Sequence, residues 1–231
     1  MKLIWQIELT NHCNRRCHYC GQANMTRDKG FMTEEILRAA LDVTQSFGHK
    51  TIMLHHYGES LMHPRYLESI QIANDYGLAV EIYTNGDLLT DSILGRLSQL
   101  KIYRMIISGH GNMQARMALA NHVRTFGIEV NYQVDIAANA SNIAGQIPIK
   151  TWDAELPPLT DPATQCSFLR DDVGIVLWNG DVVPCCYDYD GLSIYGHITD
   201  PDIKTKTARP RRICATCPGH MVDQPAGRVW K

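Results

Sequence analysis

Over residues 3–150, short apolar runs of strand length alternate with longer segments whose apolar residues recur every three or four positions. Leu3–Thr10 predicts a first strand. Residues 33–47 predict a helix. Ile36, Leu37, Ala40, Leu41 and Phe47 lie along one side of it, Glu34 and Glu35 sit in its first turn, and Gly48 stops it. Thr51–His56 reads as a strand, and Pro64 opens a helix that runs to Gly77. Leu78–Thr84 is the next strand. Thr90 and Asp91 then begin a helix carrying Ile93, Leu94, Leu97 and Leu100. Tyr103–Ser108, Ile128–Asp135 and a weaker Ile147–Lys150 complete six strands, with a helix over Met113–Phe126 stopped by Gly127. Strands alternating with helices imply an α/β fold with a parallel sheet and right-handed crossovers.

The pattern changes after residue 150. Residues 151–165, with Pro157-Pro158 and Pro162, read as a linker. Val173–Trp178 and Asp181–Pro184 flank Asn179-Gly180, which predicts a hairpin with a type I′ turn. A short helix is expected near 200–212, and 218–231 reads as an irregular tail. The chain of 231 residues, 45% hydrophobic, can build one sizeable core and a small appendage. A formal charge of −2 gives no global attraction to nucleic acid. Lys204, Lys206, Arg209, Arg211 and Arg212 form a local basic run, read as a solvated loop before a docking patch for an acidic partner. Met1–Ile7 is too short for a signal peptide and no apolar stretch is long enough to span a membrane, so a reducing, cytoplasmic location is the default expectation.

The eight cysteines fall into two sets, 13, 17 and 20, then 166, 185, 186, 214 and 217, which suggests two metal sites in two structural units. Cys13, Cys17 and Cys20 are spaced C-x-x-x-C-x-x-C on one loop after the first strand. Three thiolates there can hold three corners of a four-iron, four-sulfur cluster and leave the fourth iron open. The competing reading is a zinc site completed by His12 or His18.

The segment Thr10–Cys20, with Tyr19 before its third cysteine, resembles the cluster loop of the radical S-adenosylmethionine (radical SAM) superfamily. The resemblance implies a partial (β/α)6 TIM-like barrel in which SAM chelates the open iron and, on reduction, yields a deoxyadenosyl radical. Gly58-Glu59, in Tyr57-Gly58-Glu59-Ser60, resembles the superfamily's Gly-Gly-Glu-Pro segment. There the Glu accepts hydrogen bonds from the SAM amino group, and here Tyr57 and Ser60 replace the first Gly and the Pro. Ser108 matches the residue used for the SAM ribose, Arg116 an Arg that contacts the SAM carboxylate, and Asn85 a Thr-Asn-Gly turn. These residues, with Gln133, Asp135 and Lys150, fall at the C-terminal ends of the predicted strands, the rim where barrel enzymes place their chemistry.

Cys166, Gly180, Cys185, Cys214 and Cys217 resemble the twitch domain, a shortened SPASM domain. That resemblance implies an auxiliary four-iron, four-sulfur cluster on Cys166, Cys185, Cys214 and Cys217, with C-x-x-C alone equally a zinc signal. Size and cysteine layout are similar to the aminocyclitol dehydrogenase type. The expected organisation is a radical SAM barrel over 1–150, the linker, a twitch unit over 166–217 and the tail. Cys186 is the eighth thiol, either packed beside the cluster or a hydrogen-atom donor as in radical epimerases. Asp188 and Tyr187 are candidate bases or hairpin residues, and His55 and His56 line the cavity or pack. The expected activity is removal of a hydrogen atom from an unactivated C–H bond, most directly to dehydrogenate a sugar-like small molecule. An electron donor of flavodoxin or ferredoxin type is the implied partner. Alternatives are a ribosomal-peptide maturase, weakened by a chain that starts at strand one without a leader-binding domain, and a non-catalytic iron–sulfur or zinc protein.

Overall fold

The computed structural model describes residues 1, 3–17, 20–108, 113–133, 166–207 and 214. Its first half follows the sequence periodicity closely. Strands β1 (Leu3–Ile7), β2 (Thr51–Met53), β3 (Ala79–Thr84), β4 (Ile102–Ser108) and β5 (Val130–Gln133) alternate with helices α1 (Glu34–Ser46), α2 (Tyr66–Asp75), α3 (Asp91–Leu97) and α4 (Met113–Arg124). Side-chain capping fixes two helix starts. The Thr33 side chain accepts the Ile36 N–H and the Thr90 side chain the Ile93 N–H, each satisfying a donor the helix cannot. The elements are shorter than the apolar runs. β2 stops at Met53 because the chain leaves the ladder to build the rim loop, and Leu100 lies in the turn after α3.

The sheet is mixed and eight-stranded, in the order β5-β4-β3-β2-β1-β6-β7-β8. After α5 (Ser167–Arg170), β6 (Val173–Val176) lies parallel to β1, and β7 (Asp181–Val183) and β8 (Gly196–His197) follow antiparallel. The C-terminal segment therefore extends the same sheet past β1. The sixth strand expected over 147–150 lies outside the described residues, as do Asp135 and Lys150.

Register separates the two faces of the sheet. Ile4, Ile7, Ile52, Leu54, Val80, Ile82, Met105 and Ile107 join the helices' Leu37, Leu41, Ile70 and Leu94 in one buried core. The other, inner face carries a single lateral row, Arg104–Glu81–Met53–Gln6–Ile175–Val183, read across six strands from paired Cα positions. Its β6–β7 end is apolar, where Leu3, Phe168, Val173, Ile175, Leu177 and Val183 pack together with Trp5. Its β3–β4 end is charged.

Two local expectations are corrected. The β6–β7 turn is not type I′, which needs positive φ at both central residues. Only Gly180 has it, at 93°. The Gly180 N–H donates to the Leu177 carbonyl at 2.9 Å and the Leu177 N–H to the Asp181 carbonyl at 2.8 Å, the pattern of a type I turn closed by a glycine bulge. A side chain at 180 would strike the His197 imidazole. The helix expected near 200–212 is, as far as it is described, a run of turns over 199–205. In it Lys206 pairs with Asp200 at 2.6 Å instead of standing free for a partner.

Candidate active site

The loop after β1 holds its shape through backbone and Asn contacts before any metal enters. Asn11 Nδ2 donates to the Asp28 carbonyl at 2.9 Å, and Asn11 Oδ1 accepts the Gly30 N–H at 3.0 Å. Thr10 Oγ1 donates to the Gly30 carbonyl at 2.7 Å. The loop is thus a closed lobe running out from residue 10 and back at residue 30. Cys13, Cys17 and Cys20 lie within it as half-buried free thiols. The Cys20 N–H donates to the Cys17 carbonyl at 3.1 Å, so the last two turn tightly toward each other. Burial pushes the Cys13 thiol up and the Cys20 thiol to about 11, so the metal-free loop holds protons that a metal must displace. Among the described residues, no three His, Cys, Asp or Glu side chains converge on a point for a single ion. The chemistry of three clustered thiols suits a four-iron cube, in which each thiolate meets a different iron. Tyr19 lies outside the described residues.

The rim loop after β2 is pressed onto this lobe. Gly58 has φ 105°, and a Cβ there would lie 2.7 Å from the carbonyl oxygens of both Thr10 and His12. The Glu59 N–H donates to the His12 carbonyl at 2.7 Å. Glu59 is buried, and its carboxylate accepts the Asn85 N–H at 2.7 Å and the Leu61 N–H at 3.3 Å. Desolvation raises its pKa, opposed by those donors. A buried carboxylate in this position is poised for a cationic partner.

Asn85 and the residues after it form the third part. Asn85 Nδ2 donates to Asn14 Oδ1 at 2.7 Å, tying the β3 turn to the cysteine loop. Arg116, expected to contact the SAM carboxylate, donates to the Asn85 carbonyl at 2.6 Å and to Asp87 at 3.1 Å. Arg15 also binds Asp87, at 2.6 Å through Nη2. Asp87 is therefore the hub that joins the loop, the turn and α4, and the two arginines hold its pKa down. Sequence reading passed over Asp87 because an acidic residue after Asn-Gly is ordinary turn chemistry. Ser108 is half-buried at the end of β4, its Cα paired with Gln133 on β5.

The C-terminal unit closes the other side of the lobe. Glu8, fully buried, is paired with Arg27 and also accepts the Trp178 N–H at 3.2 Å. Arg27 Nε donates to the Tyr189 carbonyl at 2.6 Å, and Asp190 accepts Thr26 N–H and Oγ1–H at 2.6 Å each. A Cβ on Gly30 would meet the Trp178 ring at 2.5 Å, and one on Gly21 would strike Tyr189. Of the second cysteine set, Cys166 feels the charges of both Cys185 and Cys214, while Cys217 lies outside the described residues. Cys186 contacts Cys185 and packs against the apolar cluster of β6 and β7. Asp188 is fully buried, and its two oxygens accept the Leu192 and Ser193 N–H groups at 2.8 and 2.7 Å. That geometry makes its carboxylate hold the 188–193 loop. Tyr57, which stands where the resemblance has a glycine, is half-buried and close enough to Cys20, Cys185 and Cys186 to feel their charges. His56 Nδ1 meets Gln6 Oε1 at 3.1 Å, and His55 stacks on Tyr83.

Residues 7–112 match the model of the Radical SAM superfamily. The S-adenosyl-L-methionine-dependent 2-deoxy-scyllo-inosamine dehydrogenase of Niallia circulans is 23% identical, over 86% of this chain and 79% of that protein. Among solved structures, BtrN in complex with AdoMet and 2-DOIA matches with a TM-score of 0.71 at 21% identity, covering 97% of this chain and 92% of that one. Streptococcus suis SuiB bound to precursor peptide SuiA matches with a TM-score of 0.66 at 13% identity, covering 99% of this chain and 67% of that one.

The Glu8–Arg27 pair gives a test of how the lobe is held. Arg27→Met leaves a buried carboxylate without its cation and is expected to cost about 3–5 kcal/mol. Glu8 is already raised above 4.5 by burial, and losing Arg27 raises it further. A raised carboxyl contributes stability at low pH that is lost as pH rises through its folded pKa. Thermal unfolding of the variant should therefore show a larger deficit at pH 8 than at pH 5.

Proposed function

We propose that this chain is a radical SAM enzyme that oxidises a sugar-like small molecule by taking hydrogen from an unactivated carbon. The observation that carries the proposal is the junction of the cysteine loop with Gly58 and Glu59, which sets a thiolate donor set beside a buried carboxylate. When bound, the first cluster with SAM supplies the hydrogen-abstracting radical, and an auxiliary cluster supplies an acceptor for the remaining electron. Cys13, Cys17 and Cys20 would hold three irons, with Tyr19 beside them. Gly58 would let the cysteine loop close on the site, Glu59 would orient the SAM amino group and Ser108 its ribose. Arg116 would act through the Asn85–Asp87 turn that it already holds.

Cys166, Cys185, Cys214 and Cys217 would ligate the auxiliary cluster, in a twitch unit spanning 166–217. The proximity of Cys166 to both Cys185 and Cys214 supports this assignment. The oxidative reading takes support from the likeness to the inosamine dehydrogenase over most of both chains. In this reading Cys186 packs beside the cluster and Asp188 holds its loop. Electrons would come from a flavodoxin- or ferredoxin-type donor in a reducing, cytoplasmic setting. The fold likeness to SuiB, whose structure holds a precursor peptide, keeps peptide maturation as the second reading. In that case Cys186 would be the hydrogen donor of an epimerase.

Two measurements check these assignments. Glu59→Gln should weaken SAM binding by about 1.5–3 kcal/mol, the worth of a charge-assisted hydrogen bond. Unchanged affinity would return Glu59 to a role in the turn. Ring-deuterated 2-deoxy-scyllo-inosamine given to reconstituted, reduced enzyme should pass deuterium into 5′-deoxyadenosine. Transfer only from a Cα-deuterated peptide would replace the oxidative reading with the peptide one.

A further inference from the structure

The three thiols of the first cysteine set are placed by two different parts of the molecule. Cys13 lies on the near limb of the lobe, which the barrel rim holds. The Glu59 N–H donates to the His12 carbonyl at 2.7 Å, and Asn85 Nδ2 to Asn14 Oδ1 at 2.7 Å. Cys20 opens the far limb, residues 20–27, which lies against the segment after β7. The Tyr189 ring covers Gly21, the neighbour of Cys20, so closely that a Cβ there would lie 2.3 Å from it. The Tyr189 carbonyl accepts Arg27 Nε at 2.6 Å. Asp190 Oδ1 accepts the Thr26 N–H at 2.6 Å and the Arg27 N–H at 3.0 Å, and Oδ2 accepts the Thr26 hydroxyl at 2.6 Å. The bonds of this limb to the near limb are longer. They run from Gln22 Nε2 to the Asn11 carbonyl at 3.5 Å and from Asn11 Nδ2 to Met25 Sδ at 3.1 Å.

The same segment starts at the second cysteine set. The Tyr187 N–H donates to Cys185 Sγ at 3.3 Å and the Asp188 N–H to the Cys185 carbonyl at 3.1 Å. The Tyr189 N–H turns back to the Tyr187 carbonyl at 2.9 Å. The buried Asp188 carboxylate closes the loop beyond through the Leu192 and Ser193 N–H groups. One tight turn therefore leads from Cys185 to the ring that covers Gly21. Met25, Tyr57 and Tyr187 pack against that ring.

We infer that Tyr189 and Asp190 are positioning residues of the SAM site, and that through them a metal centre on Cys185 governs how tightly the first cysteine set and Glu59 hold SAM. This rests on the reading above that both cysteine sets bind clusters. SAM would bind the open iron and Glu59 together, so its affinity depends on where the cluster stands relative to the rim. Cys13 moves with the rim, whereas Cys20 moves with the turn over 185–190. A metal bond at Cys185 fixes the start of that turn. Four hydrogen bonds and the ring over Gly21 carry the constraint to the residue beside Cys20. A site held in its binding shape beforehand binds more tightly than one its ligand must order. The coupling is reciprocal, so bound SAM strengthens the hold on the second metal by the same factor.

Calorimetric titration of SAM into the reconstituted holoenzyme tests this, with the EPR signal of the reduced first cluster followed in the same samples. Asp190→Ala, which leaves both cysteine sets intact, should weaken SAM binding about tenfold. Asp190→Asn should restore most of it, because its Oδ1 still accepts both backbone N–H groups and its Nδ2 can donate to the Thr26 hydroxyl. Cys185→Ala, with the first three cysteines intact, should weaken SAM binding by about the same factor. Cys185→Ser replaces it if thermal unfolding shows that the alanine variant does not fold. The double variant Cys185→Ala/Asp190→Ala should be no worse than either single one, because both break one link. In each weakened variant the change that SAM makes to the EPR signal should need about tenfold more SAM. Wild-type SAM affinity in Asp190→Ala or in the Cys185 variant, or a double variant weakened by the product of the two single effects, would overturn the inference. SAM binding by the wild type with no loss in the variants removes this inference alone. Absent SAM binding by the reconstituted wild type removes the reading beneath it as well.

Discussion

Everything at the rim depends on one close backbone approach. The loop that carries Cys13, Cys17 and Cys20 and the loop that carries Glu59 meet where Gly58 faces the carbonyls of Thr10 and His12. Any side chain at 58 would force them apart, and the positive φ adds a conformational reason for glycine. The Glu59 N–H bond to His12 then fixes the register of the two loops. From that contact the carboxylate of Glu59 reaches the Asn85 backbone, and Asn85 reaches Asn14 on the cysteine loop. The result is a closed circuit of loop, β2 rim and β3 rim, with Asp87 and its two arginines tightening the outside.

The second constraint is burial of charge on the side facing the C-terminal unit. Glu8 at the end of β1 has no solvent exposure, and its partner Arg27 comes from the far limb of the cysteine lobe. Arg27 also bonds the Tyr189 carbonyl and so ties the lobe to the segment after β7. Because β6 pairs directly with β1, the C-terminal unit is bound to the barrel sheet by a ladder as well as by side chains. The same strand order makes the inner face polar at its β3–β4 end and apolar at its β6–β7 end.

Much of this was legible in the sequence. The alternation of strand and helix, the spacing of the first three cysteines and the Gly58-Glu59 pair are local signals, and the structure puts them on one rim. What stayed hidden depends on long-range partners. Nothing local distinguishes Asp87 from any acidic turn residue until Arg15 and Arg116 close on it. Pairing of Val173–Val176 with β1 joins residues some 170 positions apart in the chain, beyond the reach of any periodicity. The Asn179-Gly180 turn was misread because the sign of one φ at Asn179 separates type I′ from type I with a bulge. Asp188 reads in sequence as a candidate base or a hairpin residue, and only the fold shows the Leu192 and Ser193 N–H groups that its carboxylate accepts. The polar inner face was invisible because Glu81, Tyr83 and Arg104 each read as an ordinary polar position in an alternating strand.

The central claim is that the cysteine loop held against Gly58 and Glu59 is where SAM is reductively cleaved. The most direct measurement is formation of 5′-deoxyadenosine and methionine by the reconstituted, reduced wild-type chain beside a variant with Cys13, Cys17 and Cys20 all changed to Ala. The account predicts steady deoxyadenosine formation by the wild type and none by the variant, which should keep roughly half the iron on the remaining cysteines. Deoxyadenosine formed at the wild-type rate by the triple variant would contradict it.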